Sequence, residues 1–444
     1  MKLKLSNPNE KIVAKNAFLL LIRMALLMVI NLVAVRYVRS GLGIEDYGLL
    51  NVVTGLVQIV ICLKTILETA TQRFFSISLG KQDMDEVRDL FSVSVRLSKE
   101  LSLLVLLGME TIGLWFVCTQ VNCPDSRYTA MLIVYQLAVL NFIATLLQVP
   151  YLASVLAYER MDYFAFVTIL EAIVCLAAAL LVFVVPGDRM IFYAIMLVVS
   201  NLLGYVLYRL YVNRKIGDIY CQQIKSKELY RKMLSFSGWT VYGSLSAALM
   251  FQGNMLVLNV FVGPVANAAF AVALQINNAI TNLGNNVIMA VKPQMVMNYS
   301  KGNFRQLNRL FLLSTLALVV VMGGIIIPLE VWLPDILTLW LGDVDYMTII
   351  FSRLVIIVSF LLMIGAPITI IMHAVGCVKQ YHLMVETITI LCLPASYLCL
   401  SSGLAPESVC WSMIAIIIIA HFSRIFCFWK YYLNRVRQSF FIER

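Results

Sequence analysis

Residues 275–293 read QINNAITNLGNNVIMAVKP, and six carboxamides (Gln275, Asn277, Asn278, Asn282, Asn285 and Asn286) fall within twelve of these positions. A carboxamide both donates and accepts hydrogen bonds, which suits sugar hydroxyls and other polar solutes. Gln275, Asn278, Asn282, Asn285 and Lys292 are spaced 3, 4, 3 and 7, so they share one helix face. A second stripe comprises Thr54, Gln58, Thr65, Glu68 and Gln72, with Lys64 beside it. Gln252 adds another amide in an apolar stretch further upstream. Such residues could line a wettable cavity. Each could instead bond a neighbouring helix, a contact of about 0.6–2 kcal/mol inside a membrane.

Charged residues inside apolar runs add to this set. Arg23 lies twelve residues past Lys11, which is about 18 Å along a helix and near mid-membrane depth. A central Arg costs about 2.5–3.5 kcal/mol to insert, so it should face protein or water. It reads as an anion-binding group; a structural ion pair or a snorkelling Arg is the alternative. Lys64 and Glu68 sit one turn apart and could pair locally or serve a substrate. Glu68, Glu110, Glu171 and Glu386 are candidates for proton or sodium coupling. Lys292, followed by Pro293, ends its helix where a cation could meet an incoming phosphate.

The elements that position these residues follow from composition. The chain of 444 residues is 61% hydrophobic and 13% charged, with a mean hydropathy of +0.88, against about 25% charged in soluble domains. Twelve apolar segments can each cross a hydrocarbon core of about 30 Å. They are predicted near 13–36, 48–69, 95–117, 129–149, 165–185, 190–211, 236–260, 268–290, 310–332, 348–371, 382–400 and 408–428. The fold class expected is an all-α integral membrane protein. It has an N-terminal six-helix bundle (1–212), a cytoplasmic linker (213–235) and a C-terminal six-helix bundle (236–444). The polar N-terminus shows no cleavable signal peptide. Residues 78–99 read as an amphipathic helix at the membrane surface.

Counting Lys and Arg by loop gives 27 on the side of the N-terminus and 4 on the other (Arg36, Arg39, Arg127 and Arg189). Both termini are therefore expected in the cytoplasm. That bias accounts for the net charge of +10, and no nucleic-acid partner is implied. Most of the ten cysteines lie in apolar spans; Cys118 with Cys123, and Cys399 with Cys410, flank outer loops where oxidation could occur. The three histidines, His373, His382 and His421, are scattered in sequence, and no metal-ligand spacing appears. No cofactor is expected. An enzyme such as a polymerase or glycosyltransferase would need a sizeable extramembrane loop, and every outer loop is short.

The two halves match at an offset of 220 residues. GKQDMDEVRDLF (80–91) falls on SKGNFRQLNRLF (300–311), and Gly43 falls on Gly263. Gln58 then maps onto Asn278, Thr65 onto Asn285 and Gln72 onto Lys292. Six helices per half make the repeat parallel, related by an axis along the membrane normal. The two polar stripes are expected to enclose a central cavity.

RSGLGIEDYGLLNVV (39–53), ASVLAYERMDYFAFVTILEAI (153–173) and HAVGCVKQYHLMVETI (373–388) resemble the oligosaccharide-lipid flippases of the MOP superfamily. The resemblance spans essentially the whole chain. It implies a MATE-like fold and a Wzx-type flippase in a bacterial cytoplasmic (inner) membrane. Such a protein would move an undecaprenyl-pyrophosphate-linked oligosaccharide by alternating access, for surface polysaccharide assembly. The lipid-linked glycan, membrane lipids and other polysaccharide-assembly proteins are the implied partners. The rival is a MATE-like cation-coupled antiporter. Those exporters carry an acidic ion site in the first or seventh span, and 13–36 and 236–260 contain neither Asp nor Glu.

Overall fold

A computed structural model describes residues 8–80, 83–158, 160–216, 229–231, 238–300 and 302–433. Every regular element among them is a helix, as a chain in hydrocarbon must satisfy its backbone within each segment. Most of the predicted linker 213–235 and the Asn286 side chain lie outside the described residues.

The chain divides into two compact units, Met1–Val241 and Tyr242–Arg444. The first holds α1 (Pro8–Leu42), α2 (Ile44–Gln58), α3 (Ile61–Gly80) and α4 (Met84–Gly108). It continues with α5 (Leu114–Thr119), α6 (Tyr128–Ala157), α7 (Met161–Leu181) and α8 (Arg189–Lys215). After α9 (Gly238–Ala248), which runs across the division, the second unit contains α10 (Asn254–Phe261), α11 (Pro264–Ser300) and α12 (Phe304–Val331). Then follow α13 (Leu333–Leu341), α14 (Tyr346–Ile364), α15 (Ala366–Val375), α16 (Val378–Ile390), α17 (Cys392–Ser401) and α18 (Ser408–Cys427).

Among the described residues, ten helices are long and apolar enough to cross a membrane, and α2 with α3 supplies an eleventh if that bent pair is one span. The amide-rich α11 is a further long helix, at 37 residues. These follow the order of the twelve predicted spans. Lipid-facing surfaces are apolar: Leu312, Leu316, Val320 and Ile327 of α12 are all exposed, at spacings that keep them on one face.

Several predicted spans are not continuous. The second bends by 47° between Ile44–Gln58 and Leu63–Gln72. There Ile59, Val60 and Leu63 donate to carbonyls three residues back, a local tightening that kinks a helix without proline. The tenth breaks at Gly365 ahead of Pro367 and the eleventh at Leu391 ahead of Pro394, since proline cannot donate to the helical ladder. Of the surface helix expected at 78–99, residues 78–80 close α3 and 84–99 begin α4, which runs unbroken through residue 108. Its apolar side, with Val87, Leu90, Phe91 and Leu97, packs into a core with Phe75, Tyr151, Val155 and Tyr208. Burial in protein replaces the expected headgroup contact. Leu229 and Tyr230, from the linker, also pack on this core.

The repeat is visible in local geometry. Gly43 (φ 85°) and Gly263 (φ 105°) each turn the chain into the second helix of a half, a conformation that costs glycine little. Asp83 caps α4 by accepting from the Glu86 amide (2.9 Å), and Asn303 caps α12 by accepting from the Gln306 amide (3.3 Å). Their own amides donate to Ser78 and Asn298 carbonyls respectively. All three pairs keep the offset of 220. Packing repeats as well: α6 lies against α3, α4 and α8 in the first unit, and α14 against α11, α12 and α18 in the second.

At the end of the first unit that carries Gly43, Arg127 ties two other segments together. Its guanidinium donates to Asp46 of α2 at 2.7 and 2.6 Å and to both oxygens of Asp188, the α8 cap. Cys118, Cys123, Cys399 and Cys410 are free thiols.

Candidate functional site

Arg23, on α1, is half-buried against α7. Its Nε donates to Thr168 Oγ1 at 2.6 Å, and the guanidinium lies over the Phe164 ring, 4.2 Å from its centroid. Thr168 is one turn beyond Phe164, so both present the same face of α7 to α1. The aromatic face attracts the cation, while Thr168 takes one of its five N–H donors.

Glu171 stands on α7 within electrostatic reach of Arg23 and of Lys64 on α3. Gln148 Nε2 donates to Glu171 Oε1 at 3.1 Å. A Cβ added at Gly204 of α8 would fall 1.6 Å from that same oxygen. Glycine at 204 is therefore what lets the carboxylate lie against the α8 backbone. Arg23, Lys64 and Glu171 thus gather in one unit, in a setting where unpaired charge is expensive. Glu68, on α3, acts electrostatically on the buried Tyr208.

Gln58 is the last residue of α2, at the bend, and is partly buried. Of its stripe, Thr54 is partly buried and donates to the Leu50 carbonyl of its own helix (2.7 Å), and the exposed Thr65 donates likewise to the Ile61 carbonyl (3.3 Å). Glu110 lies in a π turn (Met109–Gly113) and accepts from Gln136 Nε2 at 3.2 Å. Gln252 lies in a second π turn, Leu249–Gly253, between α9 and α10, and is partly buried.

On α11 the amides separate by role. Asn278, Asn282, Asn285 and Lys292 are exposed, and Gln275 is partly buried. Asn277, next to the stripe in sequence but about 100° away around the helix, is 6% exposed and accepts from Ser359 Oγ of α14 at 2.7 Å. Helix packing consumes Asn277 and leaves Asn278, Asn282, Asn285 and Lys292 uncovered. Glu386 belongs elsewhere in the second unit: on α16, its Oε1 is 3.7 Å from His382 Nδ1.

Sequence reasoning missed Thr168, Phe164, Gln148 and Gly204. Gln148 could have been noticed as a lone amide in a long apolar run; the others give no local signal.

The model of the family described as "Polysaccharide biosynthesis protein" matches residues 13–299. No curated protein matches the chain in sequence. Among solved structures, the chain is similar to a multidrug resistance MATE family transporter of the MOP superfamily. The inward-facing form has a TM-score of 0.76 at 13% identity, covering 94% of this chain and 98% of that one. Its outward-facing form gives 0.68 at 12% identity, covering 98% of each chain. A MOP superfamily transporter from Pyrococcus furiosus, whose binding pocket is described as having reverse polarity, gives 0.65 at 14% identity, covering 94% of this chain and 95% of that chain. These likenesses establish the fold. The chain belongs to the polysaccharide biosynthesis protein family and has the fold of the MOP-superfamily transporters.

Proposed function

We propose that the protein is a flippase for an undecaprenyl-pyrophosphate-linked oligosaccharide, working by alternating access in a bacterial inner membrane with both termini cytoplasmic. The observation that carries this reading is the uncovered row Asn278, Asn282 and Asn285 leading to Lys292 on α11, beside an Asn277 already satisfied by packing. Three amides and a terminal cation on one face match a polar glycan attached to a pyrophosphate. Arg23, braced by Thr168 and Phe164 with its terminal nitrogens turned to no hydrogen-bond acceptor among the described residues, supplies a second cation for the phosphates. Gln58, Lys64, Gln252 and Gln275 are assigned to the same substrate. The glycan-bearing lipid and other assembly proteins are its partners, and the chemistry is transport rather than catalysis.

The test is a flipping assay in proteoliposomes with a lipid-linked oligosaccharide. Substituting Asn278, Asn282 and Asn285 together by Leu should cut flipping at least about tenfold while the protein stays folded, since several hydrogen bonds of about 1 kcal/mol each disappear. A triple variant that flips normally would remove the stripe from the function. The fold likeness to multidrug transporters motivates a parallel arm. Cation-gradient-driven efflux of a cationic dye, with no glycan-lipid flipping, would favour the antiporter instead.

A further inference from the structure

The exposed side of α12 fixes the depth of the second unit in the bilayer. Arg305 and Arg309 are exposed near its start. The exposed apolar row then runs from Leu312 through Leu316, Val320 and Ile327 to Val331. From Leu312 to Val331 is about 29 Å along a helix rising 1.5 Å per residue, which is one hydrocarbon thickness. Val331 therefore stands where acyl chains give way to headgroups, at the membrane face opposite Arg305. The next span, Tyr346–Val375, starts from the boundary that α12 reaches, so the connection 332–345 lies there too.

Most of that connection is the helix α13. Trp332 (φ −98°, ψ 14°) parts it from α12, and Pro334 stands in its first turn, where a missing N–H costs nothing. Gly342 (φ 84°) ends it. At 100° per residue, its side chains divide into three arcs. Leu333 and Leu337 are fully buried, and α13 packs on both α12 and α14. Trp332, Ile336 and Leu339 make the second arc, and all are exposed, Leu339 at 79%. Asp335 and Thr338 make the third and are exposed as well. Tyr346, at the start of α14, is 78% exposed. A surface helix facing only protein and water needs one apolar stripe and one polar face. A second apolar arc calls for a third environment.

Residues 331–352 contain Asp335, Asp343 and Asp345 and no Lys, Arg or His, so phosphate headgroups have no cation here to attract them. The exposed arc instead continues the lipid-facing row of α12, with Trp332 next to Val331. Tryptophan and tyrosine favour the boundary between hydrocarbon and water, where an apolar ring and a polar edge are both satisfied. We propose that α13 is an interfacial anchor whose Trp332, Ile336 and Leu339 seat among the phospholipid acyl chains just below the headgroups, with Asp335 and Thr338 in water. Held there, α13 keeps the ends of α12 and α14 at a fixed depth. The anchor stands whatever solute the protein carries.

The test is tryptophan fluorescence of the full chain at one copy per nanodisc, in phosphatidylcholine brominated either near the headgroup or near the chain end. The sequence has six Trp, so the Trp332 contribution is the difference between the unmodified protein and Trp332→Phe. That contribution should be quenched, more strongly by the shallow bromines, and equally at low and high salt. Leu339→Asp, on the membrane arc, should speed amide exchange across 333–341 several-fold, while Thr338→Asp, the same charge on the polar arc, should not. A Trp332 contribution untouched by either lipid would overturn the proposal, as would one quenched more by the deep bromines. Equal exchange in the two Asp variants would overturn it too. Loss of the quenching at two copies per disc would give this face to a second copy of the chain instead.

Discussion

In the first unit, α1 meets α7 through Arg23, which is held by Thr168 and lies over Phe164. In the second, α9 meets α16 through Gly243, which packs on His382, while Tyr242 bonds Thr387 at 2.7 Å. Each contact joins the first helix of a half to its fifth. At the offset of 220, Arg23 falls on Gly243. The duplicated scaffold has kept the helix pairing and its turns and caps, yet one copy places a guanidinium where the other leaves no side chain. A long cation needs an aromatic and hydroxyl shelf on its neighbour, and α7 supplies one. A glycine instead lets the neighbour bring a ring into contact, and α16 supplies the imidazole. Packing constrains which helices touch, while the chemistry at the contact is free to diverge.

The strongest way to break this comparison is to make the two positions alike. Arg23→Ala should abolish glycan-lipid flipping while membrane insertion and size-exclusion behaviour stay normal, because the lost group is polar and only half-buried. Arg23→Lys should recover less than about a tenth of the activity, since a point charge cannot repeat the stacked, forked geometry. An active Arg23→Ala protein would reduce the first-unit contact to packing.

A smaller effect separates two glycines. Alanine in a mid-helix glycine position gains about 1 kcal/mol in propensity. At Gly204 that gain is overwhelmed, because the new Cβ would lie 1.6 Å from Glu171 Oε1 and 2.7 Å from Gln148 Nε2. The carboxylate must leave its hydrogen bond from Gln148. Gly204→Ala should lower the thermal midpoint by several degrees, as for a net loss of about 2 kcal/mol. At Gly243 the nearest atoms, at 2.9 and 3.0 Å, belong to one imidazole that can give way, so Gly243→Ala should change stability by less than about 1 kcal/mol. Equal melting shifts for the two variants would show that neither close approach matters.

Much of this scaffold is legible in the sequence. Apolar runs mark the spans, and the offset of 220 marks the turns at Gly43 and Gly263 and the match across 80–91 and 300–311. The stripe on α11 follows from helical periodicity alone. What is not legible is non-local or subtle. Arg23 and Thr168 are 145 residues apart, so nothing near Arg23 announces its shelf. The bend after Gln58 has no proline to signal it. Residues 84–99 are amphipathic whether their apolar side meets lipid headgroups or a protein core, and periodicity cannot choose between these. Asn277 and Asn278 are neighbours of like type, and only the position of Ser359 decides which is consumed by packing.

The smallest predicted effect concerns the Arg127 clamp of the first unit, where acid should erase the difference between two proteins. Burial alone would raise the Asp188 carboxyl. The Arg127 hydrogen bond and charge, with the amides of Ile191 and Met190, instead hold it below the usual carboxylate range. A depressed carboxyl stabilises the fold above its unfolded-state value, near 3.9, and that contribution is lost as pH falls through the folded value. Arg127→Met removes the charged partner, and the residues involved are about a quarter exposed, so the cost at pH 7 should be about 1 kcal/mol after solvent screening. Melting midpoints of the two proteins should therefore differ by a few degrees at pH 7 and converge below about pH 4. A gap of equal size at pH 7 and pH 3 would mean that Arg127 acts by packing its stem rather than by charge, and the clamp would then be as apolar as the helices it joins.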